Sequence, residues 1–597
     1  MVARETGWSI RPVLAAPLGG ALWGAVESVC VLVPVFLVTQ HFRPDSVHAW
    51  AVVLGGGTAI GAAVGLLLSL ALLLPLALVP VVRRRPYRDP GWAIALAIGP
   101  ALVPAYLVAS GGLEWSFLGT VMDARAHADE CAAGLGAAAF GAVALRRAYG
   151  AIVATAARPH PVRLAGALAS VAVLAAAALP VGFTSVRGDV ALAADDVPRP
   201  RADGASAPPL LVVGLDGANW WTIRPLFDAG RLPTLARLVA TGRHGEMPAL
   251  WPPYWSVPAW GAMMTCRDRA DVAFGTDMAI QVPGLPPFEA PLLADLLLNP
   301  FLLAEWGLVL GGVARFDDPP RTAIHHPPVW ELLARTGIPT AVFRFAFTYP
   351  ADDAIGWVVS NHVGNDPWVL GEFSQGHRAA RGAYASRAAR DAGLVAPFAA
   401  PPDAAALDRV LPDATTGPPP PSRVNALRLL QLALDTDTAT FASATRLVRT
   451  VPHVGAAFVY VAGLDSVSHV FWRYRFPDDY GDERPTAAEV ARFGGVIDRY
   501  LEHVDDQLGQ LIAAYPTPPN VLVVSDHGHA ATRSHPFFSA WHDPHALVIA
   551  SGASVTPQAA PVETSYFDVM PTILDLTGRT MPPWCRGRSF ASSLPAS

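Results

Sequence analysis

Apolar residues are distributed unevenly along the chain. Residues 12–39, 49–82, 91–110, 131–150 and 163–184 are long stretches almost free of charge. A membrane-crossing helix takes about 20 apolar residues, which each stretch roughly supplies. Five of them before residue 186 predict an all-α transmembrane bundle of about five helices, a membrane domain over 1–185. Further apolar stretches follow the first, which argues against a cleaved signal peptide. Arg4, Arg11, Arg83, Arg84, Arg85, Arg88, Arg146, Arg147, Arg158 and Arg163 lie on loops of one side, against Arg43 and Arg125 on the other. The positive-inside bias puts the richer set in the cytoplasm. Five spans starting inside deliver the rest of the chain to the outer face of a plasma (inner) membrane. Glu27 falls within the first span, either as a functional carboxylate or as a neutral one bonded to neighbouring helices.

Beyond the apolar stretches the pattern changes. Residues 186–209 are rich in Pro, Ala and Asp without apolar period and read as a linker. From Leu210 to residue 597, short β-like runs alternate with amphipathic stretches. That alternation predicts an α/β domain, a mostly parallel sheet flanked by helices. LLVVGL (210–215), TAVFRF (340–345), AAFVYVAGL (456–464) and VLVVS (521–525) read as buried strands. Residues 398–423 are too proline-rich for either element and read as a surface insertion.

Composition narrows the function classes. Hydrophobic residues make up 52% of the 597 and charged residues 15%, against about 25% in soluble domains. A net charge of −6, with all 43 basic residues arginine and no long basic run, speaks against disorder and against nucleic-acid binding. Cys30, Cys131, Cys266 and Cys585 form no CxxC, hence neither a disulfide framework nor a thiolate zinc site.

The candidate chemistry lies where apolar runs end. LLVVGL leads into Asp216, AFVYVAGL into Asp465, and VLVVS into Asp526-His527. Ligands of open parallel sheets bind at the carboxyl ends of strands, so the three carboxylates can share one crevice. Asp465 opens a D-x-x-x-H element ending in His469, a spacing that places both on one helix face. Carboxylate with imidazole suits zinc or a similar divalent ion. Ser256, in WPPYWSVPAWGAMMT (251–265), stands before a small-residue helix. A hydroxyl there either caps the helix or helps to hold a phosphate oxygen.

These elements together resemble the alkaline phosphatase superfamily, in its type I phosphodiesterase and nucleotide pyrophosphatase branch. The resemblance spans essentially 210–590 and rests on ordered motifs: the Asp216-Gly opening, PVWELLARTGIPTAVFRFAFTYP (328–350), FVYVAGLDSVSHVFW (458–472), VLVVSDHG, WHDPHALVIASG (541–552) and YFDVMPTILDLTG (566–578). It implies an alkaline phosphatase-like fold with two divalent metal ions, zinc foremost. Asp216, Ser256, Asp526 and His527 would surround one ion, with Ser256 the nucleophile; Asp465, His469 and His542 would hold the other. The implied activity is hydrolysis of a phosphodiester or pyrophosphate, with a lipid-linked substrate among the options.

The sequence also departs from the family. Thr265-Cys266 replaces a Thr-Gly, and a later His-Gly is missing from RDRADVAFGTD, which leaves the oxyanion donor unassigned. His542 and His545 both precede ALVIASG, and motif register favours His542. His529, His535, His325 and His326 read as surface residues or supports behind the ligands. Cys266 and Cys585 could pair outside the cell. Sulfatases carry Cys/Ser-x-Pro-x-Arg at the nucleophile, whereas Ser256-Val-Pro-Ala-Trp260 has Trp in place of Arg. The rival readings are a phospho-head-group transferase acting on a lipid or glycan, a sulfatase-like hydrolase and an inactive binding protein.

Overall fold

Eight strands form the central sheet of the protein, seen in a computed structural model. The structure describes residues 197–591 with gaps at 202–206, 252–253, 269–278, 282–287, 290–314, 318–320, 322–323, 325, 365–383, 423–424, 452 and 534–537, together with scattered positions between 25 and 62. The chain divides into two compact units, residues 1–186 with 281–314 and residues 187–280 with 315–597. Most described residues belong to the second.

The central sheet and a two-stranded ribbon are built from β1 (Leu210–Leu215), β2 (Gly242–Pro248), β3 (Thr340–Phe343), β4 (Gly356–Val359), β5 (Ala456–Val461), β6 (Asn520–Val524), β7 (Gly528–Ala531), β8 (Ala540–Asp543), β9 (His545–Ser551) and β10 (Val562–Glu563). The sheet order is β10-β2-β9-β6-β1-β5-β3-β4, and β7 and β8 pair separately as an antiparallel ribbon. Only β9 runs against its neighbours in the sheet. The expected mostly parallel sheet is therefore present.

Helices α1 (Trp220–Asp228), α2 (Pro233–Ala240), α3 (Ser256–Thr265), α4 (Val329–Arg335), α5 (Ala426–Thr450), α6 (Gly463–Arg475), α7 (Val496–Ala514) and α8 (Val569–Leu576) cover it. Strand β1 shows why its sequence reads as one apolar run. Leu211, Val213 and Leu215 join a core with α1, α2, α5, α6 and α7, while Leu210 and Val212 join a second core with α3, α4 and α8. A strand buried on both faces needs apolar residues at every position.

Several expectations change. The all-α transmembrane bundle is corrected: among the described residues, no helix is long and apolar enough to cross a membrane. The longest of the eight helices, α5, carries Arg428, Asp435, Asp437, Arg446 and Arg449 along its length. The five apolar stretches and Glu27 lie outside the described residues, apart from the scattered positions before 63. Within the expected insertion 398–423, residues Ala404–Val410 form a helix, because Asp403 caps it by accepting from the N–H groups of Ala405 and Ala406 at 2.9 and 3.0 Å. The end of the expected linker is docked. Arg201 donates its N–H to Gly578 O at 3.0 Å, and its guanidinium pairs with Asp575. Cys266 and Cys585 form a disulfide, with their Cα atoms 5.4 Å apart.

Candidate active site

Strands β6, β1 and β5 lie side by side and parallel, so the residues after them emerge along one edge of the sheet. Asp216 directly follows β1, Asp526 follows β6, and Asp465 sits in the first turn of α6 after β5. All three are 3% exposed or less. The structure thus brings the three strand-end carboxylates into one buried crevice. Asp465 and His469 stand one turn apart on α6, with Oδ1 and Nε2 3.3 Å apart.

Ser256 is the first residue of α3, and the cap position before it belongs to Trp255. Its hydroxyl faces the crevice, with Oγ 3.4 Å from Asp216 Oδ1 and 3.1 Å from His527 Nε2. His527 Nε2 also lies 3.3 Å from Asp216 Oδ1, 3.4 Å from Asp526 Oδ2 and 3.8 Å from Asp465 Oδ1. His542, on β8, places Nε2 3.0 Å from His469 Nε2 and 3.6 Å from Asp465 Oδ1. His545 lies elsewhere, 40% exposed and bonded through Nδ1 to Glu246 at 2.6 Å. The two expected ligand sets are thereby adjacent, with His527 of one 3.8 Å from Asp465 of the other.

Three imidazoles are oriented by backbone carbonyls. His469 Nδ1 meets Ala540 O at 2.7 Å, His527 Nδ1 meets Gly528 O at 3.0 Å, and His529 Nδ1 meets Gly217 O at 3.2 Å. With the proton on Nδ1, each Nε2 lone pair faces the carboxylates, the state in which imidazole binds metal. Burial pushes the imidazoles of His527 and His529 down, and that of His542 well down, which keeps them neutral. Burial raises Asp526, with His527 opposing.

Among the described residues, Asp465-His469-His529, Asp465-His527-His542 and Asp216-Asp526-His527 each gather three ligand atoms within 4.8 Å. Asp465 Oδ1, Asp526 Oδ2 and His529 Nε2 are buried without a hydrogen bond. Such orphaned groups each cost about 1–3 kcal/mol unless a cation satisfies them. The donor set therefore fits divalent metal.

Of the two places the sequence allows His529, the surface is excluded: it is 1% exposed, and its Nε2 lies 3.1 Å from Asp465 Oδ1. The signal for it was its place two residues after His527, since alternate residues of an extended chain share a face. Gly217 makes room for the ring: its φ is +69°, and a Cβ there would lie 2.5 Å from His529 Cε1. Nothing in the sequence marks Tyr460 and Trp260 as partners of Asp216. Both donate to its Oδ2, Tyr460 through its hydroxyl and Trp260 through its indole N–H at 3.4 Å. His326 packs on Trp584, while His325 and His535 lie outside the described residues.

Residues 311–571, less than half of the chain, match the family described as type I phosphodiesterase / nucleotide pyrophosphatase. The matched stretch includes Asp465, His469, Asp526, His527, His529 and His542 but not Asp216 or Ser256. It supports an enzyme of the phosphoester-hydrolase type. No curated protein matches the chain. Similar solved structures include a phosphonate monoester hydrolase from Silicibacter pomeroyi, at 16% identity over 64% of this chain and 76% of that one, with a TM-score of 0.34. The alkaline phosphatase PafA is 10% identical over 65% of this chain and 99% of that one, with a TM-score of 0.36. The soluble domain of lipooligosaccharide phosphoethanolamine transferase A from Neisseria meningitidis is 12% identical over 65% of this chain and 93% of that one, with a TM-score of 0.32.

Proposed function

We propose that the protein is a metal-dependent phosphodiesterase of the nucleotide pyrophosphatase type, with Ser256 as its nucleophile. The observation that carries this reading is the Ser256 hydroxyl at the start of α3, within 3.4 Å of both Asp216 and His527. Asp216, Ser256, Asp526 and His527 would hold one divalent ion; Asp465, His469 and His542 would hold another. Imidazole and carboxylate donors suit zinc. When bound, such ions favour the ionised hydroxyl and offset charge on the phosphoryl group.

Ser256 is partly buried, and on ionisation its hydroxyl proton would go to solvent. The oxygen then attacks phosphorus, the bond to the leaving oxygen breaks, and a phosphoserine forms. Water releases it and restores the hydroxyl. Trp260 stands where sulfatases place an arginine, and it presents a neutral N–H to Asp216. The nucleophile motif therefore offers no bidentate cation for a dianionic monoester, which favours diesters. The reading places this unit outside the cytoplasm, with support from the Cys266–Cys585 disulfide, since such bonds persist mainly in oxidising compartments.

The test is to offer the full-length, metal-loaded protein an aryl phosphodiester, an aryl phosphomonoester and an aryl sulfate side by side. The diester is expected to turn over fastest, and Ser256→Ala to lose several orders of magnitude in rate while keeping its fold. Full activity in Ser256→Ala would refute the nucleophile. A preference for the sulfate would refute the reaction class.

A further inference from the structure

Asp216 has one oxygen, Oδ2, that accepts from two aromatic side chains at once. The Tyr460 hydroxyl and the Trp260 indole N–H both point at Oδ2, while Oδ1 faces Ser256 and His527. The two donors arrive from different elements. Tyr460 lies in β5, directly opposite Gly214 of β1 in the strand register, and Trp260 lies in α3 four residues after Ser256. Their rings meet edge to face with centroids 5.4 Å apart, and Phe345 packs against both at 5.5 Å.

Gly214 makes this arrangement possible. A Cβ there would lie 2.9 Å from Phe345 Cζ, 3.0 Å from Trp260 Cη2 and 3.1 Å from Tyr460 Cδ2. Contacts that close force neighbours aside. The missing side chain two residues before Asp216 therefore admits the aromatic pair to its carboxylate, since alternate strand residues share a face.

We infer that Tyr460 and Trp260 are positioning residues that clamp Asp216 Oδ2 and so turn Oδ1 toward the nucleophile and the ion beside it. The inference rests on the metal-dependent reading above. A carboxylate free to rotate would offer either oxygen, or both, to a cation. Two donors on one oxygen select the other, and they hold it before any cation or substrate arrives. Tyr460 is the stronger of the two, because Trp260 reaches from 3.4 Å, beyond the usual N–H···O range.

The test uses the full-length protein with Tyr460→Phe, Trp260→Phe and the double variant, which keep aromatic rings and remove the donors. Metal retention is followed by chelator competition, and kcat and KM are measured on an aryl phosphodiester. Tyr460→Phe should weaken one of the two ions by about 10- to 100-fold, the usual range for a group orienting a ligand. It should lower kcat by a similar factor with KM little changed. Trp260→Phe should do less, and the double variant should fall short of the product of the two, because both donors act on one oxygen. A His545→Ala control should leave both ions as in the wild type.

Equal weakening of both ions would mean general loosening and would overturn the clamp. So would unchanged retention and kcat in Tyr460→Phe. If Trp260→Phe fails to fold, Tyr460→Phe alone decides, since it removes a single oxygen. A wild-type protein that takes up no divalent ion would instead refute the metal-dependent reading itself.

Discussion

Asp216 and Asp465 follow neighbouring parallel strands, yet their surroundings contrast. Asp216 has Oδ2 engaged by two neutral donors and Oδ1 set beside a hydroxyl. Asp465 Oδ1 makes no hydrogen bond, although four imidazole Nε2 atoms surround it: His529 at 3.1 Å, His469 at 3.3 Å, His542 at 3.6 Å and His527 at 3.8 Å. One carboxylate is oriented by the fold alone. The other sits among four imidazoles whose Nε2 atoms could share a cation with it. The difference teaches where rigidity and where metal should matter more: under the proposed function the Asp216 side would aim the nucleophile, and the Asp465 side would depend on an ion.

The largest expected effect follows from breaking the Asp465 side. Asp465→Ala removes the anion that four imidazoles share. Bound metal should fall from about two ions to about one per chain, as expected of two separate ligand sets. Turnover of the diester should fall by several orders of magnitude. The fold should persist, because both apolar cores lie on the sheet faces away from this edge. Elemental analysis with far-UV circular dichroism checks both points. Wild-type metal content in the variant would remove Asp465 from the ligand set.

Breaking the Asp216 side from a distance should act through stability. Helix α3 begins at Ser256, and its C-cap residue, Cys266, is bonded to Cys585 across 319 residues of sequence. The bond ties the helix that opens with Ser256 to the C-terminal segment. Replacing both cysteines by serine should cost about 2–5 kcal/mol, the range for native disulfides. Denaturant unfolding reads this directly. The loss should appear in the turnover of the remaining folded protein while the Asp465 ion keeps its affinity. If both ions weaken together, the two sides are not supported independently.

Much of the Asp216 side was legible in the sequence. An apolar run that stops at an acid marks a strand end in a parallel sheet, and Asp216, Asp465 and Asp526 were found that way. Ser256 needed the family resemblance, since a serine before a helix more often caps it; the structure gives the cap position to Trp255. The choice of His542 over His545 and the burial of His529 depend on the β7–β8 ribbon. That ribbon pairs His529 directly with His542, and no local periodicity reports such a pairing. Tyr460 and Trp260 were hidden for a similar reason: an aromatic in a buried strand or helix looks like core until its polar atom finds a partner. The helix within 398–423 was missed because flanking prolines masked the cap at Asp403. The five apolar stretches predicted a membrane bundle by composition alone, and the described residues contain no helix that could cross one.

The smallest effect concerns the support beneath the Asp465 helix, where a third acid replaces the disulfide. Asp437 Oδ2, from α5, accepts from the Gly463 N–H at 3.1 Å and from the Tyr500 hydroxyl at 2.8 Å, fixing the start of α6 two residues before Asp465. Burial pushes the Asp437 carboxyl up to about 6, although Tyr500, Arg344 and two backbone N–H groups act against it. The unfolded chain would release this proton near pH 4, so the fold favours the protonated form. The stability this lends is complete below about pH 4 and is lost as pH rises through about 6. Asp437→Asn stays neutral throughout, and its carbonyl can accept both hydrogen bonds. Relative to the wild type it should therefore gain roughly 2–3 kcal/mol between about pH 4 and pH 7. Denaturant midpoints across that interval measure the difference, which cancels the titrations that both proteins share. Parallel curves would show that Asp437 ionises as easily in the fold as in the unfolded chain, and the contrast between a covalent support on one side and a titratable one on the other would fail.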